Sequence, residues 1–529
     1  MMKHRKLSKL MSLCLALLLA VGMLGTTAFA ISSTDKGAIT VSGVEDGVAV
    51  SAYRLMDVNY DFTQDQPMDP VYVWVAPVQT WVTQNYPTYA DANEFNTKSV
   101  DAAQAAEFYD KLSAAIRSRA VALSTEGTRT GSGNITNLTM GNYLILIENG
   151  MKIYKPSAVN LVPEWNDTSK VWEMTSPATV SVKASEPSLD KSINEDVADG
   201  HASGKDQYNQ GADNAALGDV INFDLRADIP AYPANATAKK YAVSDTLSEG
   251  LALDAGSIKV YGVKDAAETL LSEDAGAYTI TYTRPSNSAA TSFTVDFAYD
   301  LIKDYQKIHI DYNASLNASA QIGTAGNPNQ AYLDYNNNPY DSTSWKSKDD
   351  KVTVYSYGID ATKTNKSGVA LSGAEFTLSV SSDGSNPIQF VKLQDGKYRL
   401  PLSSETGTAT TNLVVDGSGK LELLGLDVGT YYLTETKAPG GYNKLNVAVS
   451  IVISDNDYNG SVTVTQSSGS TTDLDSGMVP VTVQNSQGFE LPTTGGIGTI
   501  IFTAIGILLM GTGLILLVMI FRRRHTAER

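Results

Sequence analysis

The stretches Ile359-Asp360-Ala361-Thr362-Lys363 and Val479-Pro480-Val481-Thr482-Val483-Gln484-Asn485 decide how this chain folds. In a strand, successive side chains point to opposite faces. Ile359, Ala361 and Lys363 then share one face, and Val479, Val481, Val483 and Asn485 share another. Between them in sequence, Tyr431, Leu433 and Glu435 line up in the same way. Each set is an apolar face that ends in a residue suited to water. An unpaired charge in an apolar core is costly. Three core faces that carry an amine, a carboxamide and a carboxyl therefore point to one shared site inside a β-sandwich.

Outward from this region the chain reads as β almost throughout. Thr, Val, Tyr and Ile recur at period two, with Gly, Asn, Asp and Pro between the runs. The pattern predicts an all-β protein of three tandem immunoglobulin-like sandwiches at 31–184, 185–357 and 358–488. The first closes with strands such as Gly141-Asn142-Tyr143-Leu144-Ile145-Leu146-Ile147. It also carries one Ala-rich stretch, about Ser99 to Ser124, with apolar spacing of three and four, which predicts a short helix.

The middle segment repeats the anomaly of the third. Leu189, Lys191 and Ile193 share a face, as do Tyr241, Val243, Asp245 and Leu247. In Gly326-Asn327-Pro328-Asn329-Gln330-Ala331-Tyr332-Leu333, both Asn327 and Asn329 lie on the face of Ala331 and Leu333. Parity does not separate them. Asp224 is a weaker alternative acid.

These residue types suggest a reaction. A lysine in an apolar core loses its charge more readily and becomes a nucleophile. A buried carboxyl tends to stay protonated, donates to the asparagine side-chain oxygen and relays protons. The amine attacks the amide carbon, ammonia leaves, and an isopeptide bond joins first strand to last. Glu435 and Asp245 are the expected promoting acids. Lys363 with Asn485, and Lys191 with Asn327 or Asn329, are the expected cross-linked pairs. The first segment opens with Gly37-Ala38-Ile39-Thr40-Val41, which has no lysine in line, so no such bond is expected there.

Both ends read as processing segments. Lys3, Arg5, Lys6 and Lys9 precede an apolar run from Leu10 to Leu24 and the site Ala28-Phe29-Ala30, a secretory signal over 1–30. Near the other end stand Leu491-Pro492-Thr493-Thr494-Gly495, an apolar run over 497–521 and Arg522-Arg523-Arg524-His525. That run is long enough to span a bilayer, and the arginines fit its cytoplasmic side.

Composition bounds the rest. Cys14, the only cysteine, lies in the signal, so the exported chain has no disulfide to use. Removing the four basic signal residues takes the formal charge from −17 to −21. Removing the tail's four arginines and Glu528 takes it to −24. So acidic a surface argues against nucleic acid as a partner. His201 and His309 alone survive processing, which disfavours a zinc site or a histidine-based hydrolase. No cofactor is expected. Asp455-Asn456-Asp457-Tyr458-Asn459-Gly460 looks like half a calcium loop but lacks the distal glutamate, and it reads as a polar turn.

Resemblance extends these readings. The order of pentapeptide, span and basic stop resembles the sorting signal that sortase transpeptidases cleave, here between Thr494 and Gly495. Lys363 to Leu378 resembles the opening of a B-type collagen-adhesin repeat. Tyr432-Leu433-Thr434-Glu435-Thr436-Lys437-Ala438-Pro439-Gly440-Gly441-Tyr442 resembles the E-box of sortase-assembled pilins. Val243-Ser244-Asp245-Thr246-Leu247 resembles the acid-bearing strand of A-type collagen-adhesin domains. Trp172 to Lys191 resembles the pilin motif, with Ser181-Val182-Lys183 where the family ends in Val-Tyr-Pro-Lys. As a whole the chain is similar to SpaA-type backbone pilins of Gram-positive bacteria. The resemblance implies an exported, wall-anchored structural subunit rather than an enzyme. A sortase would join Thr494 of one copy to Lys183 of the next, with Lys170 and Lys155 as lesser acceptors. Lys183 suits this because it falls opposite Val180 and Val182, and so faces solvent. Implied partners are other copies, the pilus sortase, minor pilins, peptidoglycan and a host surface receptor. The alternative reading is a monomeric wall-anchored adhesin with the same cross-linked domains. A surface hydrolase would need a catalytic cluster, and the sequence presents none.

Overall fold

The computed structural model describes residues 31–97, 100–174, 176–194, 211–284, 291–465, 471–488 and 497–525. The expected signal over 1–30, His201 and the pentapeptide Leu491–Gly495 lie outside the described residues.

In the first domain, Gly37–Ser42 lies between Ala178–Ser181, which runs parallel to it, and Gly133–Leu138, which runs antiparallel. The facing sheet orders Gln66–Trp74, Ala49–Asp61, Gly141–Glu148 and Ser157–Leu161, with Gly127–Thr130 also paired to Ala49–Asp61. Gly141–Glu148 is buried along nearly its whole length. Tyr143, Ile145 and Ile147 face the sandwich core with Ile39, Val41 and Val50. Leu144 and Leu146 face a second core with Phe108, Leu112 and Val78, which lie on helices. A strand covered on both faces has no polar side, so its sequence is a continuous apolar run.

Where one helix was expected in the first domain, over about 99–124, its described residues form three α-helices: Ala76–Asn85, Ala92–Thr97 and Ala102–Arg117. Ala102–Arg117 is the expected one, shortened at both ends. Asp101 caps it by accepting from the backbone of Ala103 at 2.9 Å and Gln104 at 3.3 Å. Its buried stripe is Phe108, Leu112, Ala115 and Ile116. In Ala76–Asn85 the valines and threonines favour strand and mask the helix. Pro77 in the first turn, and the buried pair Val78 and Val82 four apart, are its helical signals.

The middle domain packs two sheets. One orders Leu189–Asn194, Val220–Asp228, Lys307–Leu316, Leu251–Lys264 and Ala267–Leu270. The other orders Ala212–Asn214, Trp345–Tyr355, Asn327–Asn336, Tyr241–Leu247, Ser292–Phe297 and Tyr278–Thr283. Phe223, Tyr312, Val243, Phe293 and Leu333 are fully buried between them.

In the third domain, Tyr357–Asn365 runs parallel to Met478–Asn485, with Lys363 opposite Val483 and Asn365 opposite Asn485. This sheet also contains Lys420–Leu426, Lys397–Arg399 and Val391–Gln394. It faces a sheet of Leu413–Val414, Glu375–Ser379, Gly429–Lys437 and Val449–Ile453. The chain ends in the helix Ile497–His525. Its stretch Thr503–Arg522 has mean hydropathy 2.6, apolar and long enough to cross a membrane.

Candidate cross-linking and acceptor sites

The middle-domain site lies between the two sheets. Leu189–Asn194 pairs residue for residue with Val220–Asp228, and the alternation turns Lys191 inward with Ile193 while Asp190 stays exposed. The Lys191 and Asp245 side chains are wholly buried, with Nζ 2.5 Å from Asp245 Oδ2. Tyr312 connects the cluster. Its hydroxyl donates to Asp245 Oδ2 at 2.6 Å and accepts from Lys191 Nζ at 3.0 Å and from Asn329 Nδ2 at 2.7 Å. The Phe223 ring lies 5.1 Å from the ammonium. Burial pushes Lys191 below the ordinary lysine range, and the Asp245 carboxylate pulls it part of the way back. Burial, and then Asp245, hold the Tyr312 phenol well above its ordinary range.

The structure separates the two asparagines that strand parity left equivalent. Asn327 is engaged with backbone: Oδ1 accepts from Gln321 N at 2.9 Å, and Nδ2 donates to Gln321 O and Val354 O, each at 3.1 Å. It ties a loop. Asn329 faces the lysine cluster, and its Oδ1, like Asp245 Oδ1, is buried without a hydrogen-bond partner. Two points of the sequence reading need correction. Asp224 does not face Lys191. It contacts Arg226 and His309 Nε2, at 3.0 and 2.7 Å, because strand alternation puts it on the opposite face of the sheet. Asn327 and Asn329 lie on the strand Asn327–Asn336, and Trp345–Tyr355 follows it, so a bond from Lys191 to either would join the first strand to the penultimate one.

In the third domain Lys363, Glu435 and Asn485 are each 1% exposed. Lys363 Nζ donates to the carbonyls of Thr364 and Val483, both at 3.2 Å, which holds it against the last strand two residues before Asn485. Burial lowers its affinity for a proton, with Glu435 opposing. Asn485 Nδ2 donates to both Glu435 oxygens at 3.0 Å and to Asn443 O at 2.8 Å. Leu445 N donates to Glu435 Oε2 at 2.7 Å. The expected contact from the acid to the asparagine oxygen is therefore reversed. The Asn443 carbonyl accepts only a donor, so it fixes the amide nitrogen toward Glu435 and leaves Oδ1 without a partner. The carboxyl addresses the nitrogen that would leave.

Sequence reasoning missed Tyr312, Asn443 and Leu445. Tyr312 was within reach, since it stands in line with Ile308, Ile310, Ala314 and Leu316 on an inward face. The Asn443 and Leu445 contacts use backbone atoms, which no side-chain pattern marks.

Lys183 is exposed beside buried Val182, between Ala178–Ser181 and the short pair Ala184–Ser185 with Ile153–Tyr154. Its carbonyl accepts from Lys155 N at 2.9 Å. Lys155 is also exposed, and Lys170 lies 3.5 Å from Asp167. The Asp455 segment is a polar turn: Asp455 accepts from Asn459 N at 3.0 Å, Gly460 N at 2.7 Å and the Tyr357 hydroxyl at 2.6 Å. Among the described residues no group of three or more His, Cys, Asp or Glu is placed to hold a metal.

Three stretches match family models. Residues 358–468 match the prealbumin-like fold domain SpaA. Residues 217–339 match the Cna-B-like domain of Gram-positive pilin backbone subunit 2, a B-type description where the sequence resemblance pointed to the A-type. Residues 483–528 match the LPXTG cell wall anchor motif. The trypsin-resistant surface T6 protein of Streptococcus pyogenes serotype M6 is 26% identical over 564 residues, 93% of this chain and 96% of that protein. The T6 backbone pilin of serotype M6 Streptococcus pyogenes, described as a modular three-domain structure, superposes with a TM-score of 0.57. It is 17% identical over 87% of this chain and 100% of that one, a likeness of fold. The full-length major pilin SpaD of Corynebacterium diphtheriae gives a TM-score of 0.45 at 16% identity, over 86% of this chain and 98% of that one.

Tandem β domains followed by a wall-anchor motif and an apolar helix define a structural protein held at the cell surface. With a pilin-backbone model on the middle domain, the prealbumin-like SpaA model on the third, and a T6 relative along nearly its whole length, the chain is a structural pilus subunit similar to the backbone pilins of Gram-positive surface pili.

Proposed function

We propose that a sortase polymerises this subunit by joining Thr494 of one copy to Lys183 of another, and that two self-formed isopeptide bonds, Lys191–Asn329 and Lys363–Asn485, stiffen it. The observation that carries the reading is the same in both domains: a solvent-free lysine grouped with one acid and one amide in an otherwise apolar core.

The chemistry balances without a cofactor. The acid takes a proton from the lysine ammonium, and the free Nζ attacks the amide Cγ. The C–Nζ bond forms, the C–Nδ2 bond breaks, and the second proton lost by Nζ goes to the departing nitrogen, which leaves as ammonia. The carboxylate ends as a neutral acid. Charge separation disappears from the core, so burial favours the product. Holding the reactants together removes most of the encounter cost. In the middle domain Tyr312 positions Asp245, Lys191 and Asn329. In the third, Glu435 relays to Asn485 Nδ2. Minor pilins and wall peptidoglycan would enter as alternative amines or acyl donors for the same transpeptidation.

Two tests follow. Asn329→Ala is expected to leave the processed chain heavier by one ammonia, apart from the change of side chain. Asn327→Ala is expected to keep the bond and loosen only the Gln321 loop; intact mass spectrometry distinguishes them, and the opposite pattern would reassign the pair. Lys183→Ala is expected to abolish the high-mass ladder in cell-wall extracts while monomer persists. An unchanged ladder would rule out Lys183, and the absence of any ladder in the unmodified strain would favour the monomeric adhesin.

A further inference from the structure

The free end of the first domain carries an aromatic, acidic patch that the cross-linking chemistry does not use. Its base is a small apolar cluster of Ile31, Tyr60 and Met140, against which Trp172 and Met174 pack. Two hairpins rise from it. One joins Ala49–Asp61 to Gln66–Trp74 and exposes Phe62 and Met68, at 42% and 40%. The other, Pro163–Asn166 with Val171–Met174, forms a sheet of its own and exposes Trp165 at 46%. Tyr60 contacts Phe62 at 5.2 Å, and Trp165 meets Trp172 edge-on at 5.7 Å. Beside these rings stand Asp65, which accepts from the Tyr60 hydroxyl at 2.6 Å, and Asp167, which accepts from Trp165 Nε1 at 3.1 Å, while Glu164 and Glu173 pair on the opposite face of the second hairpin. Large apolar side chains held this far into water on an acidic, self-repelling protein mark an interaction surface.

The far end of the third domain has the complementary character. Two loops, 366–373 and 438–447, flank the point where the chain leaves toward the sorting signal. The second is tied there by Asn443 N to Ser486 O and Gly488 N to Gly441 O, both 2.9 Å. The two loops contain Lys366 and Lys444 and no carboxylate. Both lysines are exposed, as are Val369 at 59% and Val447 at 79%.

Reach connects the two ends. Residues 489–494 extend at most roughly 20 Å beyond Gly488. The segment from Ser176, beside the second hairpin, to Lys183 runs roughly 23 Å as a strand. If Thr494 is bonded to Lys183, the exit end of one third domain is within reach of the free end of the next first domain.

We propose that Phe62, Met68 and Trp165, within their acidic frame, form the docking face for the Lys366/Lys444 end of the third domain of a second copy. Docking presents Thr494 to Lys183 before the bond forms, and supports the joint afterwards. The inference rests on the polymer reading above. Apolar contact supplies affinity, and the opposed charges set partner and register.

A charge exchange in the full-length chain tests it. Lys366→Glu with Lys444→Glu is expected to lose the upper rungs of the wall-extract ladder, as is Asp65→Lys with Asp167→Lys. Strains carrying all four changes are expected to regain them. Intact mass of each processed monomer, unchanged in its ammonia deficit, controls for folding. Full ladders in both half-reversed strains, or no recovery in the fourfold strain, would overturn the docking face. Failure of the acceptor assignment is visible separately, as a ladder that survives Lys183→Ala.

Discussion

Lys191→Ala is expected to weaken the middle domain more than any other single substitution. It removes the amine of the proposed bond and leaves Asp245, a wholly buried side chain, with Tyr312 as its one remaining side-chain donor among the described residues. Breaking a buried ion pair from one side costs about 3–5 kcal/mol. Losing a covalent closure from 191 to 329 costs up to about 5 kcal/mol on the chain-entropy account used for disulfides. Asn329→Ala loses the closure and keeps the lysine–aspartate pair. Calorimetry should therefore order the middle-domain transition as unmodified chain, then Asn329→Ala, then Lys191→Ala at the lowest temperature. Equal midpoints for the two variants would show that the stranded carboxylate costs little. Equal midpoints for all three would show that no closure exists.

Glu435→Gln should produce the second large effect. The substitution keeps the shape and still offers an oxygen to Leu445 N, but it removes the group that moves protons between Lys363 and Asn485. The third domain is then expected to hold both residues unjoined. Its processed chain would be heavier by one ammonia, and Lys363 would sit in the core with no anion near it. The loss should again be several kcal/mol, seen as a lower third-domain transition and faster proteolysis of the linear product. A mass deficit equal to that of the unmodified chain would mean that the carboxyl is not required, and would leave the lowered affinity of Lys363 for its proton as the driving feature.

Much of this was legible before any coordinates. Strand alternation needs only a ruler of two, and a lysine, an acid and an amide each in line with Val, Ile and Leu are conspicuous on it. Lys191, Asp245, Lys363, Glu435 and Asn485 were all found that way. The tail was legible from composition. What failed did so for physical reasons. Alternation assigns a face and not a neighbour, so Asn327 and Asn329 were equivalent until the Gln321 loop closed on the first of them. It does not give the rotation of an amide either, and a single backbone carbonyl, Asn443 O, reversed the expected contact between Glu435 and Asn485. The helix Ala76–Asn85 was masked because its residues prefer strands and only tertiary packing against Phe108 and Trp74 decides otherwise. Asp224 was separable from Asp245 by the same ruler, since it falls in line with Asn222 and Arg226 and not with Phe223 and Leu225, and it faces outward to His309.

The central claim, that this subunit compensates for its missing disulfides with two internal covalent bonds, is tested most directly by the intact mass of the processed chain from Ile31 to Thr494. The account predicts a mass below that of the sequence by two ammonia molecules, with the deficit falling to one in Lys363→Ala or Lys191→Ala and to none in the double variant. A mass equal to that of the uncrosslinked sequence would contradict it, and would leave the two clusters as buried polar networks in a pilin held together by packing alone.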